Sequence, residues 1–296
     1  MTGSMRRLMT FLMVLAVSFC VTKAADAAFL VKGQNSAQLK VMPVGDSITL
    51  GKKGMVGGYR KILYEWLTAN GYSITYVGKQ NIPGDPKYPA ACSDGSIPYH
   101  EGYGSIRTDM VLTGGTVERQ TAPPLATTLE KFKPDVVLLM IGTNDILQSF
   151  QLDTLEERLG KIIDAIYAAN SKTIVLVASI APLGGWAYAA KETRATAYNA
   201  AIPGIVARQQ ALGHQIGFVD IHQAMSSKDA LGGDMVHPSD IGYAKMAQAW
   251  YKALTGEEAP AIADPKNPLM LPPPVVPAGS ITPAPATGSP AVPAGH

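Results

Sequence analysis

Apolar positions fall in two rhythms along the chain. Leu39 to Val44 is a short apolar run that stops at Gly45, and Ser73 to Val77 alternates in the manner of a strand. Pro134 leads into Asp135-Val136-Val137-Leu138-Leu139-Met140-Ile141, the continuous run expected of a strand covered on both faces. Thr173 to Ile180 predicts another buried strand, and Ile216 to Ile221 the last. Helical patterns stand between them. Tyr59, Ile62, Leu63, Trp66 and Leu67 lie at helical spacing within Gly58 to Asn70, with Gly71 as the stop. Leu155, Leu159, Ile162 and Ile166 mark the next helix. Another begins near Lys191 and meets Pro203, which predicts a kink or a break. Ser239 caps a final helix that runs to about Leu254. Strands alternating with helices predict a parallel sheet with right-handed crossovers, a single layered α/β domain.

The two ends depart from this pattern. Arg6 and Arg7 precede an uncharged apolar run from Leu8 to Val21, short for a membrane span, and Ala25-Asp26-Ala27 offers a cleavage site. Residues 1–27 are therefore expected to be a signal peptide, which implies a secreted or periplasmic protein with no stable membrane insertion after cleavage. An uncleaved anchor is the alternative. A lipid attached at Cys20 is disfavoured because bulky Phe19 precedes it. Cleavage would leave Cys92 as the only thiol, so no internal disulfide could form. From Pro260 to His296 the chain carries 11 of its 22 prolines, and no period survives there. Residues 257–296 are expected to form a disordered Pro/Ala-rich tail, leaving 28–256 as the domain.

Composition removes several functions. The chain has 296 residues, 47% hydrophobic and only 16% charged, with 25 basic against 23 acidic side chains. A net charge of +2 provides no field for gathering a polyanion, so no nucleic-acid partner is expected. Two cysteines exclude a disulfide scaffold and a Cys-rich zinc site, and there is no H-E-x-x-H. No metal or other cofactor is expected.

Three polar clusters follow predicted strands or stand just beyond the last one, where open parallel sheets bind ligands. The first is Gly45-Asp46-Ser47. A serine there is usually a helix N-cap, but it is also well placed as a nucleophile, with backbone N–H groups beside it. A nucleophile elbow would need glycine where Thr49 stands. A phosphate loop fails too, since Gly45 and Gly51 enclose five residues and Lys52 is followed by Lys53. The second cluster is Gly142-Thr143-Asn144-Asp145, where Asn144 is either a turn former or an amide donor to an oxyanion. The third is Asp234-Met235-Val236-His237. Asp234, three residues before His237, can reach one ring nitrogen while the other faces a serine. His100, His214, His222 and His296 carry no comparable partner in the sequence, and His100-Glu101 alone makes no site.

Together, Gly45-Asp46-Ser47-Ile48, Gly142-Thr143-Asn144-Asp145 and Asp234-x-x-His237-Pro238 resemble the SGNH (GDSL-type) hydrolase superfamily, from about Leu39 to Leu254. Val41-Met42-Pro43-Val44-Gly45-Asp46-Ser47-Ile48-Thr49, Gly58-Tyr59-Arg60, His100-Glu101-Gly102 and Asp240-Ile241-Gly242-Tyr243 are similar to its acetylxylan-esterase-like, carbohydrate-esterase branch. The resemblance implies a three-layer α/β/α fold with a flavodoxin-like parallel sheet of about five strands. It implies ester hydrolysis, often of acetyl groups on polysaccharides, with no cofactor or metal and an acylated carbohydrate as partner. Ser47 would be nucleophile, His237 base and then acid, and Asp234 its orienter. The oxyanion hole would join the Ser47 N–H, the Asn144 amide and a backbone N–H of the second block. There the chain departs from the family. Ser105, followed by Ile106, stands where the family has glycine, and Gly104 one residue earlier is the alternative donor. A serine forced to φ > 0 would be strained. Lipase or thioesterase action on longer acyl chains, acyl transfer to a sugar hydroxyl, and a degenerate glycan-binding protein are the competing functions.

Overall fold

A computed structural model describes residues 28–33, 38–55, 57–81 and 99–262. The expected signal peptide, Cys20, Cys92, His296 and most of the expected tail lie outside the described residues. Among the described residues no helix is long and apolar enough to cross a membrane.

The strands are β1 (Leu39–Gly45), β2 (Ile74–Tyr76), β3 (Glu101–Gly102), β4 (Gly115–Val117), β5 (Gln120–Ala122), β6 (Val136–Met140), β7 (Ile174–Ala178) and β8 (Ile216–Val219). The helices are α1 (Ser47–Leu50), α2 (Tyr59–Ala69), α3 (Thr108–Thr113), α4 (Leu125–Phe132), α5 (Thr143–Gln148), α6 (Leu155–Ala169), α7 (Ala189–Ala211), α8 (Ile221–Ala224) and α9 (Asp240–Thr255). Five parallel strands form the sheet in the order β2-β1-β6-β7-β8. This is the flavodoxin-like order implied by the resemblance, and its winding reverses between β1 and β6. Short β3 takes over the free edge of β1 beyond β2, pairing Val44 with Glu101 and Gly45 with Gly102. That pairing carries the following loop, residues 103–107, to the end of β1.

The unbroken apolar runs have a simple cause. Val136, Leu138 and Met140 point into a core shared with α2 and α9, while Val137, Leu139 and Ile141 point into the opposite core with α4, α6 and α7. Strand side chains alternate, so a strand covered on both faces needs apolar residues at both parities. On the first face Tyr59 meets Trp250 at 6.0 Å between ring centres, and Trp66 meets Tyr251 edge-on at 6.5 Å.

Two expectations change. Helix α7 runs from Ala189 to Ala211 through Pro203 without a break. Proline removes the donor to the Asn199 carbonyl, but Ile202, Ile205 and Val206, buried on both sides of it, carry the helix across, so of the kink or break expected the break does not occur. The chain just past Gly256 also packs rather than leaving the domain. Gln248 donates to the Pro260 carbonyl at 3.1 Å, Lys32 pairs with Glu257 at 2.7 Å, and Ala259 and Ile262 rest on the core.

The chain also packs tightly where β1 ends. A Cβ on Gly45 would meet Thr49 Oγ1 at 2.3 Å and the Met140 carbonyl at 2.4 Å. Gly45→Ala is therefore expected to lower stability by about 1–3 kcal/mol, the usual range for overpacking. Denaturant midpoints would measure it, and an unchanged midpoint would contradict the close approach.

Candidate active site

Ser47 is the first residue of α1, which β1 feeds directly. Asp46 caps this short helix, its Oδ1 accepting from Ile48 N at 2.9 Å. Burial pushes the Asp46 carboxyl above its ordinary range. At the other end, buried Arg60 from α2 donates to the Thr49 and Leu50 carbonyls at 2.9 and 3.3 Å. A cation on the last carbonyls suits the helix dipole and fixes α1 at both ends. Tyr243 from α9 donates to the Lys52 carbonyl at 2.8 Å and steadies the exit.

His237 reaches Ser47 from the loop between α8 and α9. A bridge between Leu231 and Pro238 closes this loop, and Gly232 N donates to the His237 carbonyl at 2.8 Å. Asp234 Oδ1 accepts from Val236 N at 3.1 Å and His237 N at 2.9 Å, so the carboxylate shapes the turn that presents the ring. Asp234 Oδ2 lies 2.8 Å from His237 Nδ1, and His237 Nε2 lies 2.9 Å from Ser47 Oγ. An ionised carboxylate only accepts, so Nδ1 carries the proton and bare Nε2 accepts from the serine hydroxyl. Burial pushes the Asp234 carboxyl up, but the His237 N–H, its ring and Val236 N outweigh this and hold it below the usual range.

The other two expected residues lie beside this relay. Asn144 is at the start of α5, just beyond β6, and its Nδ2 donates to the Ile106 carbonyl at 3.0 Å. Nδ2 has a second hydrogen, so the amide is fixed while one donor is left over. Ser105 has φ 58°, the left-handed conformation considered from the sequence. The choice between Gly104 and Ser105 as donor follows from their partners. The Gly104 N–H is taken by Gln120 Oε1 at 3.0 Å, whereas no acceptor meets the Ser105 N–H among the described residues.

The second cluster is tied to the segment that follows Ser105 by an interaction that sequence reading did not find. Buried Asp145 accepts from Thr108 N at 3.1 Å, Thr108 Oγ1 at 2.7 Å and Arg158 Nη2 at 2.9 Å, and Arg158 Nε donates to Thr108 Oγ1 at 2.6 Å. This ties α3, α5 and α6 together directly behind Asn144 and Ser105. Removing one partner of such a buried pair commonly costs about 3–5 kcal/mol. Asp145 sat within a quoted cluster; Arg158 gave no local signal.

The remaining histidines are engaged elsewhere. His100 is buried, its Nδ1 accepting from Gly102 N at 3.0 Å, and Glu101 accepts from Tyr103 OH at 2.8 Å. These contacts fix β3. His214 stacks on Tyr167 at 3.7 Å, and His222 Nε2 meets Glu192 Oε1 at 2.7 Å.

The lowered Asp234 pKa has a stability consequence. A carboxylate held below its unfolded value of about 3.9 adds stability that is full above that value and lost as pH falls through the folded one. Asp234→Asn should therefore be less stable than the parent near neutrality, with the gap closing under strongly acidic conditions. Denaturation at a series of pH values checks this, and a gap independent of pH would contradict it.

Comparison with known proteins agrees with this geometry. The GDSL-like lipase/acylhydrolase family pattern matches residues 44–245. A multidomain esterase of Ruminococcus flavefaciens is 32% identical over 234 residues, covering 74% of this chain and 28% of that protein. A putative endoglucanase X of Acetivibrio thermocellus is 34% identical over 149 residues, 48% of this chain and 62% of that one. The chain thus spans less than two thirds of either relative. Among solved structures, a family 3 carbohydrate esterase of Clostridium thermocellum shares 32% identity with a TM-score of 0.60, over 73% of this chain and 94% of that one. A family 3 carbohydrate esterase of Talaromyces cellulolyticus shares 26%, also with a TM-score of 0.60, over 73% and 96%. Because the family pattern runs through all the loops that carry Ser47, Asn144 and His237, the chain belongs to the GDSL-like lipase/acylhydrolase family.

Proposed function

We propose that this protein is a serine esterase that removes O-acyl groups, chiefly acetyl, from carbohydrate. The observation that carries this is the continuous relay from Asp234 to His237 to Ser47, with steps of 2.8 and 2.9 Å, beside the point where the sheet winding reverses. Ser47 Oγ attacks the ester carbonyl as His237 Nε2 takes its proton. The charge that develops on the carbonyl oxygen is met by the Ser47 N–H, the Ser105 N–H and the Asn144 amide. Asp234 keeps the ring in the required tautomer and stabilises its charged form. The tetrahedral intermediate collapses, the C–O bond breaks, and His237 returns the proton to the departing sugar hydroxyl. Water then attacks the acetyl-serine by the same route, releasing acetate and the free serine.

Two features favour a carbohydrate over a long acyl chain. Two cavities, about 540 Å³ beside β8 and about 650 Å³ between α4 and α6, lie away from the relay and are lined by none of its residues. Trp186 is 93% exposed on the loop after β7, whose Gly184 N donates at 2.8 Å to the Met235 carbonyl within the His237 loop. An exposed indole tied to that loop is a flat apolar platform of the kind a pyranose ring can cover. The similarity to family 3 carbohydrate esterases supports the same reading. The amino-terminal pattern supports export, to the periplasm or beyond, where polysaccharide substrates occur.

The test is acetate release from a panel of acetylated polysaccharides, with p-nitrophenyl acetate as a small reference ester. Ser47→Ala should abolish turnover on all of them, by about 10⁴ or more, while the fold is kept. Trp186→Ala should raise KM on the polymers and leave the small ester unchanged. Retained activity in Ser47→Ala would remove the serine mechanism. A preference for long-chain esters over every acetylated glycan would remove the carbohydrate substrate.

A further inference from the structure

Strands β4 and β5 form a small antiparallel hairpin in which Val117 pairs with Gln120, leaving Glu118 and Arg119 as its two-residue turn. Both have positive φ, 46° and 64°. Tight hairpins of this twist usually place Asn, Asp or Gly at these positions, so the tip is held in an unfavourable conformation by its surroundings.

Those surroundings are the second block of the site. Gln120 Oε1 accepts from Gly104 N at 3.0 Å, and Glu118 Oε1 accepts from Ser105 Oγ at 2.5 Å. Glu118 Oε2 pairs with Lys52 Nζ, from the turn that follows α1. A Cβ on Gly104 would fall 2.2 Å from Glu118 Oε2 and 3.0 Å from Lys52 Nζ, so the carboxylate seats closely on the Gly104–Ser105 backbone. The Lys52 ammonium and the Ser105 hydroxyl, in that order, hold the Glu118 carboxyl below its usual range, and it therefore stays an acceptor. Ser105, at φ 58°, has a backbone N–H that no acceptor meets among the described residues.

We propose that Glu118 is a positioning residue for the oxyanion hole: anchored by Lys52, its carboxylate latches the Ser105 side chain and so keeps the Ser105 backbone in the left-handed conformation that presents its N–H. Glycine would reach this conformation without help. Serine does not, and the hairpin supplies the missing restraint. The latch also joins the turn after the Ser47 helix to the second block. This inference rests on the oxyanion role given to Ser105 above.

A double-mutant cycle on p-nitrophenyl acetate tests it, with Ser47→Ala as a separate control on the serine mechanism. Glu118→Ala should lower kcat about tenfold with KM within about twofold, because a preorganised donor acts as charge develops. Glu118→Gln, which retains one oxygen to accept from Ser105 Oγ but loses the one that meets Lys52, should recover part of that loss. In a Ser105→Gly background, Glu118→Ala should change kcat by less than about twofold, since no hydroxyl is left to latch and glycine needs no restraint. The Ser105→Gly/Glu118→Ala protein also controls for folding, because it carries the same truncation at the hairpin tip. An equal loss from Glu118→Ala in both backgrounds would overturn the latch, as would a loss confined to KM. No loss at all would do the same. A loss in Glu118→Gln as large as in Glu118→Ala would assign the effect to charge, near His237, and would equally overturn it. Turnover surviving Ser47→Ala would instead refute the serine mechanism, whatever Glu118 does.

Discussion

The site depends on one close approach at the carboxyl end of β1. Gly45 and Gly102 face each other in register, and neither has space for a side chain: a Cβ on Gly102 would come 2.7 Å from Leu50 N. With no side chains between them, β1, β3, β6 and α1 meet backbone to backbone. The turn carrying Ser47 therefore lies against the loop carrying Ser105, and β6 delivers Asn144 to the same place. A reversal of sheet winding opens a crevice at this point in any fold of this order. What the glycines add is closeness, which brings groups from separate strand ends to one place.

The charges around the crevice are divided by depth. Deep in the protein, Asp145 and Arg158 satisfy one another with Thr108 and fix the frame. A buried pair of this kind contributes little net stability, but losing either partner would leave a buried charge uncompensated. At the rim, Asp234 and Glu118 each turn hydrogen bonds into orientation, one for an imidazole and one for a backbone amide. Both are held below the usual carboxylate range, and both remain acceptors at neutral pH.

Much of this was legible in the sequence, and the exceptions have physical causes. Strands β6 and β7 announced themselves because apolar cover on both faces leaves no polar interruption, and β1 did so beyond Lys40. Helices α2 and α6 showed a regular apolar stripe, and α9 was marked by its Ser239 cap. At Pro203 no break follows, because packing on both sides of it outweighs the lost backbone bond. Residues 103 to 132 gave no element at all: β4, β5 and α3 are too short to display a period. Ser47, Asn144, Asp234 and His237 could be singled out because each stands beside a strand end or in a short polar loop with a local partner. Arg158 and Glu118 could not, since Arg158 meets Thr108 from 50 residues away and Glu118 meets Lys52 from 66. The serine at 105 was visible as a departure, but its φ and its latch were not.

The central claim is that Ser47 is made nucleophilic by the His237 relay. Labelling with a fluorophosphonate, which reacts covalently with activated serines, followed by peptide mapping, tests this most directly. The account predicts a single adduct on the peptide containing Ser47, formed in step with loss of esterase activity and suppressed in His237→Ala. An adduct on another serine that tracks the loss of activity, or full activity with Ser47 labelled, would contradict it.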